Sequence, residues 1–106
     1  MKPILALAAF LIAGPAEAGT PDVCGTIRDV ASATMNARQN GISREFMQAA
    51  AKKTASDDVS VYGAIMVLID GAFKVPLVDT PEQKRIVTDL FGTVIYDTCM
   101  KDGEPA

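Results

Sequence analysis

Residues 24–43, CGTIRDVASATMNARQNGIS, are the stretch that decides the fold. Apolar residues such as Ile27 and Val30 recur in it at the three- and four-residue spacing of an amphipathic helix. Gly41 predicts the end of that helix, because glycine suits the left-handed conformation that follows a helix. Ser43 predicts the cap of a second helix. The stretch therefore predicts a helix, a tight turn and the start of another helix.

The amino terminus has the layout of a secretory signal peptide. Lys2 precedes an apolar run over residues 4–13, and Ala16-Glu17-Ala18 forms a small-x-small cleavage site. The run is shorter than the roughly twenty residues of a membrane span, so we expect no stable membrane anchor. An uncleaved amino-terminal anchor is the alternative. Residues 1–18 are thus a predicted signal peptide, residues 19–106 a single domain, and the expected location is periplasmic or secreted.

Cys24 and Cys99 are the only two cysteines and lie near the two ends of that domain. In an oxidising compartment such a pair predicts a disulfide, which a domain of this size needs because its core is small. Two buried free thiols, or a redox site, are the alternatives. The chain has no C-x-x-C motif and no histidine to activate a thiolate, which argues against a redox site.

Residues 59–73 are the most apolar part of the domain and read as a helix buried nearly all round, or as a buried strand. The length of the run favours the helix. Gly63, Val67 and Gly71 fall on one line where another helix could approach closely. Asp70 has the spacing of an ion pair with Lys74.

The last helix is predicted to begin at Thr80-Pro81-Glu82-Gln83, a capping box with proline at the first helical position. Its expected buried stripe is Val87, Leu90, Phe91, Val94, Ile95 and Thr98, and that of the second helix is Phe46, Met47, Ala50 and Ala51. Together these patterns predict an all-α fold, a small four-helix domain closed by one disulfide between the first and last helices.

Composition excludes several classes of function. The formal net charge is −3 and no block of basic residues occurs, which argues against nucleic-acid binding and against docking on anionic lipid. The chain has no histidine, phosphate-binding loop or nucleophile motif, so we expect no enzyme, no catalytic residue and no cofactor. Asp57-Asp58 is read as a helix cap, and no metal site is predicted.

The polar cluster at the end of the first helix is the candidate surface for a protein partner. Arg38, Gln39 and Asn40 end that helix, and Arg44 and Glu45 lie across the turn. The alternative is a solvated helix end at which Arg38 complements the helix dipole.

The segment containing Ala31, Met35, Arg38-Gln39, Gly41 and Ser43 resembles an uncharacterised group of small secreted bacterial and prophage-encoded proteins. Members of that group have a signal peptide, an early cysteine and a late cysteine in a terminal helix.

Two functions remain. The first is a binding or inhibitory module that acts on a protein such as a cell-wall hydrolase or an effector. The second is a periplasmic acid-stress holdase chaperone that opens near the ordinary carboxylate pKa range, around pH 4, and exposes its apolar third helix.

Overall fold

The computed structural model describes residues 20–102, which form four α-helices and no strand. The helices are α1 (Pro21–Gln39), α2 (Arg44–Ala55), α3 (Val59–Phe73) and α4 (Pro81–Asp102). The all-α prediction is confirmed, and residues 59–73 are a helix. The predicted signal peptide, residues 1–18, lies outside the described residues. None of the four helices is long and apolar enough to cross a membrane.

The helices begin at the capping residues that the sequence predicts. The Thr20 hydroxyl accepts the N–H of Val23 at 3.3 Å, and Ser43 caps α2 in the same way. Thr80 and Gln83 form the reciprocal capping box, each side chain accepting the backbone N–H of the other at 3.1 Å. Gly41 has the positive φ, 86°, that its position after α1 requires. These local contacts mark where α1, α2 and α4 begin and where α1 ends.

α1 is the central helix: it packs along α4 and crosses α3, while α2 packs on α3. The α1 side of the core includes Ala31 and Met35, both fully buried. The α2 and α3 side is held by a cluster of buried residues, which comprises Met47, Ala51, Ala55, Val61, Ile65 and Ile69. A disulfide between Cys24 and Cys99 joins α1 to α4 across 75 residues of sequence, which confirms the predicted pair.

Several predicted apolar stripes are only partly covered. Phe46 on α2 is 65% exposed, and Leu90 and Val94 on α4 are 58% and 56% exposed, so their predicted burial is wrong. Helical spacing identifies an apolar face but does not say which part of it a neighbour covers. A domain of this size buries only a modest share of the surface that the unfolded chain exposes.

The predicted glycine line on α3 is wrong for two of its three members. A Cβ on Gly63 would meet nothing within 4 Å, and Val67 is 68% exposed. Gly71 does face another helix, since a Cβ there would touch the Phe91 ring of α4 at 3.4 Å. The close approach of two helices occurs instead at Gly92.

At Gly92 the backbone of α4 comes so near α1 that a Cβ would overlap the Ser32 hydroxyl and lie 3.2 Å from Cγ of Arg28. We expect Gly92→Ala to lower the free energy of unfolding by about 1 to 3 kcal/mol, because the Ser32 and Arg28 side chains must shift to admit the methyl group. Gly63→Ala is the matched control. It should raise stability by about 1 kcal/mol, since alanine favours the helix and meets no neighbour there. Urea denaturation measures both, and an equal gain in the two variants would contradict this packing.

Candidate functional site

The candidate site lies at the carboxyl end of α1, where Gln39 ties the helix to the loop after α3. The Gln39 side chain is 2% exposed. Its Nε2 donates to the carbonyl oxygen of Pro76 at 3.0 Å, and its Oε1 accepts the N–H of Val78 at 2.9 Å. The expected exposure of Gln39 is therefore wrong. Both ends of its amide are in use, so it positions the site and is not available to touch a partner.

Arg38 is also held by the same loop. Its Nε and Nη2 donate to the carbonyl oxygen of Val75 at 3.2 and 3.0 Å. Its guanidinium lies 4.6 Å from the centroid of the Phe73 ring, within the range of a cation–π contact. Arg38 thus does more than complement the dipole of α1, because it joins the end of α1 to the end of α3.

Arg44, the first residue of α2, stacks on the same ring at 5.0 Å. It forms an ion pair with Asp70, whose predicted partner was Lys74; that prediction is wrong. The first turn of α2 lies beside the last turn of α3, so the carboxylate meets a residue from another helix. The Arg44 side chain is still 39% exposed, and it presents a fixed cation to solvent.

Asn40 and Glu45 complete the predicted cluster, and both are exposed. Asn40 Nδ2 donates to the carbonyl oxygen of Asn36 at 2.8 Å. Glu45 has no ion-pair partner among residues 20–102. We call Asn40, Arg44 and Glu45 the turn surface. Their role in partner binding stays a prediction.

A cleft of about 290 Å³ adjoins the turn surface between the end of α1 and the start of α4. Asn40 lines it together with Lys84, Arg85 and Thr88. The Thr88 hydroxyl oxygen is buried and has no hydrogen-bond partner in the described part of the chain. Lys84 adds a positive charge next to the turn surface, while Arg85 is paired with Asp89 at 3.8 Å.

An apolar groove of about 370 Å³ opens on another side of α1, and sequence reasoning missed it. Val30, Ala33 and Ala37 of α1 form one wall, α2 forms the other, and Ile65 and Ile69 of α3 form the floor. Phe46 stands on its rim. The sequence signal is Val30, which belongs to the apolar stripe of the first helix and lines this open groove in the structure.

The chemical groups of the site are polar and charged side chains. No group of three or more Cys, Asp or Glu side chains within residues 20–102 could hold a metal ion. Asp58 accepts the N–H groups of Ser60 and Val61 as the cap of α3. The polar side chains of the site act as hydrogen-bond donors, acceptors and fixed charges.

Comparison with known protein families, with curated proteins and with solved structures finds no match to this chain.

Proposed function

We propose that this protein is a small periplasmic or secreted binding module that inhibits or regulates a protein partner through the turn surface. Cell-wall hydrolases and effectors are the partner classes we favour. The disulfide supports this location, because such bonds persist in oxidising compartments outside the cytoplasm. The proposal requires no chemistry from the chain itself.

The contacts beneath the turn surface support the proposal, and we call them the clamp. Gln39 and Arg38 fasten the end of α1 to residues 75–78, and Arg44 is seated on Phe73 and Asp70. A surface that is already rigid loses little conformational entropy when a partner binds. Side chains that were merely exposed to solvent at a helix end would not form these contacts with the loop after α3.

The chemistry of the turn surface suits a polar protein contact. Arginine is enriched among residues that dominate binding energies, and a planar guanidinium can hold a carboxylate with two hydrogen bonds. Arg44 supplies such a group beside the exposed Glu45; its Nη1 is paired with Asp70, and the side chain is still 39% exposed. A partner with an acidic group facing Arg44 and a basic group facing Glu45 would match both charges.

The experiment is affinity capture from a bacterial envelope extract with three proteins. Wild type should retain one stoichiometric partner, and the double variant Arg44→Ala with Glu45→Ala should lose it. The control, Val94→Ala, changes an exposed residue on α4 and should retain the partner. A captured hydrolase should also lose activity on purified peptidoglycan when wild type is added. Equal capture by all three proteins would contradict a role for the turn surface.

The alternative is an acid-stress holdase, and it is supported by the small number of α2 residues that cover α3. α2 covers this apolar helix with three buried residues, Met47, Ala51 and Ala55. Its departure would expose Ile65 and Ile69. A holdase should unfold reversibly at about pH 3, below the usual carboxylate pKa range, and suppress aggregation of a client protein. A binding module should keep its near-ultraviolet circular dichroism there and protect no client.

A further inference from the structure

The outer face of α2 carries a pattern that its own fold does not use. Phe46, Ala49 and Lys53 of α2 are spaced by three and four residues, the spacing of a helix–helix seam, and Ile42 lies before them in the turn that precedes the helix. All four are solvent exposed, with Phe46 at 65%. A large aromatic side chain exposed in a seam of this kind marks an interaction surface.

We propose that a second copy of this chain binds this face, with α2 antiparallel to α2 of the partner copy and each Phe46 seated in the apolar groove of the other. The symmetry is two-fold, so one surface supplies both the inserted side chain and the cavity that receives it. This inference does not rest on the proposed function, but the two surfaces share Glu45. Phe46 belongs to this face and not to the turn surface, so Phe46→Ala separates the two proposals.

Charge complementarity is the main argument for a second copy as the occupant. In an antiparallel pair centred at Ala49, residues 45 and 53 of opposite copies face each other. Glu45 and Lys53 have opposite charges, and neither has an ion-pair partner in the described range, residues 20–102. The two-fold axis forms this pair twice. A parallel arrangement would place Glu45 against Glu45 and Lys53 against Lys53, which repel each other.

Side-chain size is complementary as well. Ala49 is exposed at the centre of the seam, where two helices must come closest, and Ala50 is exposed beside it on the groove side. The same register places Phe46 of the second copy at the level of residue 52, between Ala50 and Thr54 of the groove lining, and Ala33 of α1 forms the opposite wall. Alanine on both walls leaves room for a phenyl ring. The apolar lining would then be covered by protein and no longer by water.

The test is sedimentation equilibrium of the disulfide-bonded mature chain, residues 19–106. One helix face is smaller than the roughly 800 Å² per partner of a standard interface, so the loading concentrations should extend to about 1 mM. We expect a monomer–dimer equilibrium. Phe46→Ala should weaken association by about tenfold or more. Leu90→Ala, an equally exposed apolar residue on α4, should leave it unchanged.

Charge reversal tests the register. Glu45→Lys alone and Lys53→Glu alone should each weaken self-association, because each creates two repulsive contacts. The double variant should recover the dimer, and an equimolar mixture of the two single variants should form heterodimers. Recovery in the mixture also shows that neither variant has lost its fold.

Three results would overturn the proposal: a monomer at every concentration, a dimer that depends on Leu90 and not on Phe46, or single charge reversals that leave association unchanged. The last two would place the interface elsewhere or make it parallel.

Discussion

Removal of the disulfide is expected to have the largest effect on this protein. A chain carrying both Cys24→Ala and Cys99→Ala should lose about 4 to 5 kcal/mol of unfolding free energy, because the bond closes a loop of 75 residues. Alanine is the better replacement, since Cys24 is fully buried and serine would bury a hydroxyl there. For a domain of this size the melting temperature should fall by about 20 °C or more.

Thermal unfolding followed by far-ultraviolet circular dichroism measures this change. Wild type reduced with a thiol is the control. Its melting temperature should fall by a similar amount, because both samples lack the same covalent link. A fall of only a few degrees in the alanine variant would mean that the packing of α1 on α4 sustains the fold without the bond.

The second large effect is expected at Gln39. Gln39→Ala leaves the carbonyl oxygen of Pro76 and the N–H of Val78 without their partner and opens a small cavity. The free energy of unfolding should fall by about 3 kcal/mol, at the upper end for a buried polar group left unpaired. Asn40→Ala, next in sequence but exposed, is the control and should cost less than about 1 kcal/mol.

Urea denaturation of both variants measures the difference. Gln39→Glu is a useful third protein, because it keeps an acceptor for Val78 but replaces the donor to Pro76 with a buried charge; it should be at least as unstable as Gln39→Ala. Equal stability of the Gln39 and Asn40 variants would contradict the clamp.

The features that sequence predicts correctly here are local or have few alternatives. Thr20, Ser43 and the Thr80–Gln83 box cap their helices because the contacts lie within four residues of sequence. Cys24 and Cys99 could be paired because no third cysteine competes. Gly41 takes the positive φ that ends α1.

The features that sequence misses depend on which helices become neighbours. Asp70 has a suitable cation four residues away in Lys74, yet it pairs with Arg44 because α2 lies beside the end of α3. Gln39 reads as a solvated residue at a helix end, and only the path of residues 76–78 reveals its two partners. Phe46 and Val30 show the same limit, since a periodic pattern cannot tell a covered face from an open groove.

The candidate site therefore differs from the predicted cluster in one important respect. Gln39 lies beneath the contact surface and supports it. Arg38 is largely held by its contacts with Val75 and Phe73. Asn40, Arg44 and Glu45 keep the contact role as a prediction. The proposed partner site is thereby reduced to the turn itself, with a rigid base built from α1, α3 and the loop that follows α3.

The most direct test of the central claim is a nuclear magnetic resonance titration of the isotope-labelled mature chain with the captured partner. We predict saturable shifts centred on residues 40–45, with smaller shifts in residues 73–78 that support the turn. Shifts confined to α4, or to the groove walls on α1 and α3, would contradict binding through the turn surface.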